Sequence, residues 1–440
     1  MSEIYDVAII GAGASGMIAA GKAGESGFKT ILLEKKSRPG IKLSITGKGR
    51  CNLTNSADIK EFVKLFRNGE FLYSAFNAFS NSDTIAFFES LGVACKLERG
   101  GRYFPQSDKA SDVVNALIKY AKKSSSIITS FDVRDIRKNK EKTFIINDSI
   151  AAKNIVIACG GITYPSTGSD GGGYKIAQYF GHKIAKPLPA LVPVNLKCGD
   201  LKELKGLKLK NVEVSLFNEN NIEAKEFGEM EFTVYGADGP VILTLSSLIS
   251  EKISASNSKS VLNSFQHLAV KDKKCQTLKQ VQGDTAGCGL FLSLNLKPAL
   301  NKEQLNQRLL RELDKFGQYQ LKDMLKELLP VQLIKPFINY CGLTMTKKCS
   351  QISKIERSKM LDSFSDFRFE ISGIRDAREA VITRGGVLTN EIDQKTMQSK
   401  IVPGLYFCGE IIDIDAPTGG FNLQAAFSTG YLAGNSINDN

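Results

Sequence analysis

The chain has 440 residues, about two or three domains' worth, of which 42% are apolar and 24% charged. These proportions exclude wholesale disorder, and no apolar run approaches the ~20 residues of a membrane helix. Lys and Arg exceed Asp and Glu by 58 to 46, a formal charge of +12 that indicates either an anionic partner or a lysine-rich solvated surface.

Cysteine and histidine usage limits the chemistry of the chain. The nine cysteines form no C-x-x-C pair, and the two histidines, His182 and His267, are far apart. This argues against a zinc ribbon, a dithiol redox centre and a histidine metal site. The N-terminal sequence has neither the basic flank nor the cleavage site of a signal peptide. We therefore expect a cytoplasmic protein with reduced thiols, no metal, and reactive chemistry supplied by a cofactor.

The N-terminal region has the order strand, glycine turn, helix, strand and acid that is typical of a dinucleotide-binding unit. Strands are predicted over Tyr5–Ile10 and Thr30–Leu33, with a small-residue helix over Met17–Ala23 between them. The turn GAGASG has the G-x-G-x-x-G spacing. The residues expected to contact the cofactor are Gly11, Ala12, Gly13, Ala14, Ser15, Gly16, Glu34 and Lys35.

Each key position of this unit has a physical reason. Gly11 allows a tight turn, Gly13 lets the backbone approach a pyrophosphate, and Gly16 lets the helix pack closely on the strand. The helix N-terminus offers amide N–H groups and a partial positive charge to phosphates. Glu34 is placed to accept hydrogen bonds from a ribose hydroxyl. A purely structural glycine turn is the alternative.

The segment TGKGRCN at 46–52 is a second candidate anion contact. Its two glycines leave the backbone bare, and Lys48 and Arg50 supply positive charge. Cys51 is either a reactive thiol or, as we favour, a small buried residue beside the cofactor. The expected cofactor contacts here are Gly49, Arg50, Cys51 and Asn52. The catalytic candidates, by location only, are Lys48, Cys51, Tyr103 and Tyr164.

Two later segments favour FAD over NAD as the resident cofactor. IVIACGG at 155–161 and GLYFCGE at 404–410 are predicted buried strands that end in glycine, and PTGGFN at 417–422 opens a helix expected over Leu423–Ala433. That helix N-terminus could face the flavin pyrimidine edge, although a glycine hinge is the alternative. The expected contacts are Ala158, Gly160, Gly161, Gly409, Glu410, Gly420, Phe421 and Asn422.

The middle of the chain has a part with strand patterns followed by a part with helical patterns. VEVSLF at 212–217 and MEFTV at 230–234 predict short antiparallel strands. Residues 301–342 have leucines at helical spacing, interrupted at Pro330. Lysines cluster at 201–214, as Lys202, Lys205, Lys208 and Lys210, and indicate either an RNA contact or a solvated surface.

These motifs resemble the BaiN-like bacterial flavoproteins, also described as NAD(P)/FAD-dependent or aminoacetone-oxidase-type oxidoreductases. The match includes SITGKGRCNLTN, GGITYPSTGSDGGGYKIAQYFGH and GLYFCGEIIDIDAPTGGFNLQAAFSTGYLAG, within which TGKGRCN and PTGGFNLQ are the specific segments. The resemblance implies an α/β fold, with a two-dinucleotide-binding (Rossmann-like) FAD domain and an inserted β-barrel-like plus helical domain. We expect the FAD domain over 1–190 and 356–440, and the inserted domain over 191–355.

The chain departs from the family pattern in two places. Members commonly have FTHFGLSGP where this chain has FTVYGADGP at 232–240, so Val234 replaces a histidine whose role cannot be carried over. Residues about 259–289 lack clear periodicity and resemble an in-frame insertion, which we expect to be a surface excursion without function. Five lysines and two aspartates in that segment account for +3 of the +12 charge.

The resemblance implies a reductase in which a hydride passes from NAD(P)H through flavin N5 to an unsaturated acceptor. Relatives suggest a uridine of 23S rRNA, a bile-acid intermediate or aminoacetone as substrate. Because Gly168–Gly173 has no strand leading into it, we expect NAD(P)H to visit transiently without a domain of its own. The alternatives are a small-molecule flavin oxidase or enoate-type reductase, and a non-catalytic flavin-bearing RNA-binding or redox-sensing protein.

Overall fold

The computed structural model of the protein describes residues 4–199, 201–268 and 289–438. In chain order, its strands β1–β18 are Ile4–Ile10, Thr30–Leu33, Thr54–Asn55, Cys95–Glu98, Arg102–Pro105, Ser125–Ile128, Ile136–Lys138, Phe144–Ile146, Ile150–Ile157, Ile184–Ala190, Val194–Lys197, Lys208–Asn218, Asn221–Phe232, Gly236–Asp238, Leu290–Asn295, Phe367–Ile374, Ile382–Val387 and Leu405–Phe407. Its α-helices α1–α14 are Ala14–Glu25, Ile41–Gly49, Ile59–Leu65, Tyr73–Ala78, Asn81–Ser90, Ala110–Ser124, Gly172–Tyr179, Leu201–Leu204, Pro240–Leu268, Lys302–Lys315, Leu321–Leu325, Val331–Tyr340, Lys354–Ser365 and Phe421–Asn435. Single 3₁₀ turns lie at Gly69–Leu72, Pro165–Thr167, Cys349–Gln351 and Thr389–Glu391.

The chain divides into two units. Unit 1 comprises Met1–Ala190 with Ala377–Asn440, and unit 2 comprises Leu191–Asp376. Strands β10 and β17, at the exit from unit 1 and the return to it, pair with each other antiparallel. The second boundary lies later than the expected 355/356, because β16 pairs with β11 and β15 and therefore belongs to unit 2.

Unit 1 is built on a seven-stranded sheet. Its order is β6-β2-β1-β9-β8-β7, with β18 pairing parallel to the C-terminal half of β9. Consecutive residues of β1, β2 and β9 are buried, and many are Val, Ile or Leu, because both faces of these parallel strands are covered. The predicted strands and the α/β Rossmann-like fold class are confirmed.

Helices α1 and α14 pack closely in unit 1. A Cβ at Gly430 would lie 2.4 Å from the Ser15 carbonyl oxygen, and one at Gly434 would lie 2.5 Å from that of Ala19. The two helices therefore run in the same direction, because positions 430 and 434 lie beside positions 15 and 19. At 1.5 Å per residue, the N-terminus of α14 extends about 12 Å beyond that of α1.

Unit 2 joins a closed barrel to a helical part. The barrel order is β11-β14-β13-β12-β15-β16, closing between β16 and β11. Strands β12 and β13 contain the two predicted antiparallel strands. The predicted helical stretch forms α10, α11 and α12, whose leucines fill the core, and Pro330 is the N-cap of α12.

The suspected insertion at 259–289 falls largely outside the described residues. Residues 259–268 belong to helix α9, and strand β15 begins at Leu290. In the part of the chain that is described, no helix is long and apolar enough to span a membrane.

Candidate cofactor-binding and active site

The three glycines of the first turn have different surroundings. A Cβ at Gly11 would lie 2.5 Å from the Ala158 carbonyl oxygen, and one at Gly16 would lie 1.9 Å from the Gly11 carbonyl oxygen. A Cβ at Gly13 would meet nothing within 4 Å. Gly11 and Gly16 are therefore required for packing inside the protein, whereas Gly13 borders open space at the start of α1.

Glu34 ties the end of β2 to the glycine turn. Its carboxylate accepts hydrogen bonds from the backbone N–H of Ala12 (2.9 Å) and of Lys36 (2.8 Å), and the residue is buried. The next side chain, Lys35, forms a 2.6 Å ion pair with Asp170 in the glycine-rich loop 168–173. The structure thus places an oriented carboxylate beside the turn, as a ribose contact requires.

The N-termini of α1 and α14 both lack a side-chain cap. Helix α1 begins after Gly13, and α14 begins after Gly420, whose φ of 98° favours glycine. Their free amide N–H groups and partial positive charges point the same way, with a stagger of about 12 Å along the helix axes. This arrangement suits a ligand with anionic groups at two separated positions.

One carboxylate, that of Glu410 just after β18, is hydrogen-bonded to the start of β17 and to the loop after β9. Glu410 accepts from Lys42 Nζ (2.6 Å) with one oxygen, and from Thr383 N (2.7 Å) and Thr163 Oγ1 (3.1 Å) with the other. Lys42 Nζ also donates to Thr163 Oγ1 at 2.7 Å. Both oxygens of the predicted cofactor contact Glu410 are thus engaged by the protein, which makes it an organising residue of the site. The partners of Glu410 were not predictable from the sequence, since Lys42 and Thr163 lie 368 and 247 positions away from it.

The segment TGKGRCN forms an irregular, glycine-dependent bend. Gly47, Lys48, Gly49 and Cys51 all have positive φ, between 57° and 85°, so α2 is interrupted from Thr46 onward. The bend is closed by its own backbone, because Arg50 N donates to the Gly47 carbonyl (3.3 Å) and Cys51 N donates to the Thr46 carbonyl (3.0 Å).

Asn52 joins this bend to the start of α14. With its amide oxygen toward α14, it accepts from Gly420 N (3.0 Å) and donates to the carbonyls of Thr54 (3.1 Å) and Tyr103 (3.2 Å). The two most specific motifs of the sequence, more than 360 residues apart in the chain, are therefore in direct contact.

Several predicted contacts use their side chains within the protein. Arg50 donates to Asp108 at 2.8 Å, pairs with Glu98 and stacks over Phe104, with its guanidinium 4.2 Å from the ring centroid. The carboxylates of Asp108 and Glu98 therefore balance the guanidinium charge of Arg50, which was expected to face a phosphate. Phe421 is buried against Phe62, with ring centroids 4.9 Å apart.

Asn422 closes the turn before α14. It accepts from Ala416 N (3.0 Å) and donates to the Ala416 carbonyl (2.8 Å). At Phe421 and Asn422, the backbone N–H groups rather than the side chains are thus available at the start of α14.

The cysteines around the site are protonated at neutral pH. Burial raises the pKa of Cys51, Cys159 and Cys408 to about 12. A reactive cysteine needs a lowered thiol pKa and access to solvent, and Cys51 has neither. Of the two alternatives for Cys51, the packing role is the one supported.

The other catalytic candidates occupy different settings. Lys48 is exposed, and Tyr103 and Tyr164 are partly buried. Tyr164 has a φ of 52°, a left-handed conformation that is uncommon for an aromatic residue. Among the described residues, no three His, Cys, Asp or Glu side chains are grouped so as to hold a metal ion.

These features fit FAD. Open space at Gly13 leaves a cradle at an uncapped helix N-terminus, and an oriented acid, Glu34, lies beside it. The second uncapped N-terminus, after Gly420, provides donors for a polar ring edge. Amides at α1 would hold the pyrophosphate, Glu34 the ribose, and amides at α14 the ring edge.

Comparison with known proteins matches residues 5–436 to the family described as HI0933-like protein Rossmann domain. The chain belongs to this family. It is 29% identical to the 3-dehydro-bile acid delta(4,6)-reductase of Clostridium scindens, over 97% of this chain and 98% of that protein. It is 28% identical to the ribosomal RNA dihydrouridine synthase of Escherichia coli (99% and 98% covered) and 27% identical to that of Haemophilus influenzae (99% of each).

The expected family and enzyme class are therefore confirmed. As a member of the HI0933-like family, the chain is an FAD-dependent oxidoreductase with a Rossmann-like domain. Its match extends over nearly the whole chain and includes unit 2.

We predict that Gly13→Val abolishes flavin binding without unfolding the protein. The new side chain would enter the open space at the N-terminus of α1, so FAD affinity should fall at least about tenfold. Flavin content of the purified protein and its thermal unfolding measure the two effects. Gly16→Ala is the matched control, which should instead lower the free energy of unfolding by about 1–3 kcal/mol. Wild-type flavin content in Gly13→Val would contradict the assignment.

We predict that Cys51 in the native holoenzyme reacts with iodoacetamide only after unfolding. Its pKa is raised from an ordinary 9.0 to about 12, so the folded protein holds the proton at pH values where the unfolded chain releases it. The free energy of unfolding should therefore fall as pH rises from 9 to 12. Peptide mapping by mass spectrometry follows the labelling, and rapid labelling of native Cys51 at neutral pH would refute the packing role.

We predict that Lys42 and Glu410 stabilise unit 1 as a coupled pair. Lys42→Met and Glu410→Gln should each lower the free energy of unfolding by about 1–3 kcal/mol, because each leaves a partly buried polar group unpaired. The double variant should show a coupling energy of at least about 0.5 kcal/mol. Urea denaturation measures these values. Lys64→Met, in an exposed pair with Glu61, is the control and should change the free energy of unfolding by less than about 0.5 kcal/mol. Strictly additive effects of the Lys42 and Glu410 substitutions would count against the coupling.

Proposed function

We propose that the protein is an NAD(P)H-dependent flavin reductase of a carbon–carbon double bond conjugated to a carbonyl group, acting in the cytoplasm on a uridine of 23S rRNA. The relatives support the reaction class, because a bile-acid delta(4,6)-reductase and a dihydrouridine synthase both add hydrogen across such a bond. Two of the three relatives named above act on ribosomal RNA, which favours the uridine.

The start of α14 is the observation on which the proposal rests. Bound FAD supplies hydride transfer to the acceptor. The uncapped N-terminus of α14, held by Asn52 at Gly420, favours negative charge at the position it faces. Because this dipole is fixed in place before reaction, the protein spends no reorganisation energy on it.

The net charge supports an anionic substrate only weakly. Without the +3 of residues 259–289, the chain retains a charge of about +9. Among the lysines at 201–214, Lys208 lies 3.5 Å from Glu231 on the adjacent strand β13, whereas Lys202, Lys205 and Lys210 are exposed. An RNA contact and a solvated surface both stay open for that cluster.

A small-molecule reductase or oxidase is the second candidate, supported by the bile-acid enzyme among the relatives. A non-catalytic flavin-bearing RNA-binding or redox-sensing protein is the third. The three differ in what reoxidises the reduced protein: a uridine in RNA, an enone or dioxygen, or no acceptor.

We predict that NADH or NADPH bleaches the flavin of the purified protein under argon, and that 23S rRNA from cells lacking the gene restores the flavin absorbance. The same rRNA should gain the mass of two hydrogens at one uridine, measured by nucleoside mass spectrometry. A 3-oxo-Δ4 steroid and dioxygen are the competing acceptors.

The Gly13→Val protein is the negative control, because it should bind no flavin. An unbleached flavin with both nicotinamides would refute the reductase. Rapid reoxidation by the steroid, with every uridine of the rRNA unchanged in mass, would favour the small-molecule reductase instead.

A further inference from the structure

The β4–β5 hairpin and the end of α2 together carry more positive than negative charge. Residues 46–50 and 94–109 contain six cations and two carboxylates, Glu98 and Asp108. The six cations are Lys48, Arg50, Lys96, Arg99, Arg102 and Lys109. We call these two segments the hairpin surface.

Both carboxylates of the hairpin surface are engaged by the same two cations. Lys96 pairs with Asp108 at 2.6 Å and with Glu98 at 3.7 Å, and Arg50 pairs with both. These contacts hold the pKa of Asp108 and of Glu98 below their ordinary values, so both stay ionised and paired at neutral pH.

Four cations of the hairpin surface remain. Lys48, Arg99, Arg102 and Lys109 are exposed, and none has an acidic partner within 4.0 Å among the described residues. Four positive charges without carboxylate partners are thus distributed over the hairpin (Arg99 and Arg102), the N-cap of α6 (Lys109) and the end of α2 (Lys48).

The tip of the hairpin is ordered by contacts of its own. Gly100 and Gly101 have φ values of 78° and 73°, which form the reversal between the strands. Arg102 Nε donates to the Arg99 carbonyl at 3.0 Å, and its guanidinium lies 5.8 Å from the ring centroid of Phe104. An ordered cationic surface loses less side-chain entropy on binding than a flexible one.

A single side chain connects this tip to the candidate active site. The amide of Asn55 donates to the carbonyls of Gly100 and Gly419, at 3.0 Å each. Gly419 lies in the turn that opens α14, where the polar ring edge of the cofactor is proposed to lie. Arg99 and Arg102, which flank the tip at Gly100 and Gly101, therefore lie near the proposed place of reaction.

We propose that the hairpin surface binds the phosphates of single-stranded RNA on either side of the nucleotide that enters the active site. This inference rests on the proposed function and adds to it the location of the substrate backbone. RNA enzymes that act on a base take it out of the stack, which exposes the flanking phosphates to such a surface. Four cations spread over a hairpin and a helix end match a chain of phosphates better than a single anionic group.

The test compares the flavin-loaded wild-type protein with Arg99→Gln/Arg102→Gln. Fluorescence anisotropy with a labelled single-stranded oligouridine gives the affinity over a range of salt concentrations. We expect the Kd of the variant to rise at least about tenfold, and the salt slope of log K to fall by about 1.4, since each lost phosphate contact on a single strand contributes ~0.7.

Two further variants serve as controls. Lys122→Gln/Lys123→Gln removes the same charge from the exposed end of α6 and should change the Kd less than about twofold. Arg99→Lys/Arg102→Lys keeps the charge and should retain most of the affinity, because phosphates are contacted by charge. Circular dichroism and flavin content verify that each variant is folded.

Each other outcome decides against the inference. Equal losses in the α6 control would mean that only net charge matters. If the wild type reduces uridine in RNA while Arg99→Gln/Arg102→Gln binds RNA normally, the docking surface is wrong and the proposed function stands. A loss confined to the KM for NAD(P)H would assign the surface to the nicotinamide cofactor. If the wild type neither binds the RNA nor reduces uridine, both proposals fall.

Discussion

The close packing of α14 on α1 is the constraint on which the candidate site depends. Gly430 and Gly434 let the two backbones approach to a distance that any side chain would prevent. This contact fixes the direction of both helices and the stagger of their N-termini. The positions of the glycine turn 11–16 and of the N-terminus of α14 are therefore set together by the C-terminal half of α14, rather than by the residues that would contact the cofactor.

Some cations of unit 1 form ion pairs with distant carboxylates, and others lie on an open surface. Lys35, Lys42 and Arg50 each reach a carboxylate far away in the sequence, and these pairs connect loops around the candidate site. Four cations without an acidic partner among the described residues lie on the hairpin surface. The net charge of +12 is therefore a poor guide by itself, because much of the basic side-chain content is used to hold the fold together.

The features predictable from sequence are those encoded by local spacing. The glycine turn, the first two strands and Glu34 lie within one short segment, so their arrangement follows from the pattern alone. The ion-pair partners of Arg50 were not predictable, since Glu98 and Asp108 lie 48 and 58 positions away. The same holds for Lys42 and Glu410, at a separation of 368, and for the second unit boundary, where β16 pairs with the distant β11. Long-range partners of this kind leave no local trace in composition or periodicity.

The long sequence separation of β18 and α14 from their partners has a consequence for biosynthesis. During translation, the edge of β9 at residues 155–157 stays uncovered until β18 is made, about 250 residues later. The side of α1 at Ser15 and Ala19 stays uncovered until α14 is made, more than 400 residues later. The nascent chain therefore exposes apolar surface of unit 1 while unit 2 is being synthesised, and such transiently exposed surface favours aggregation.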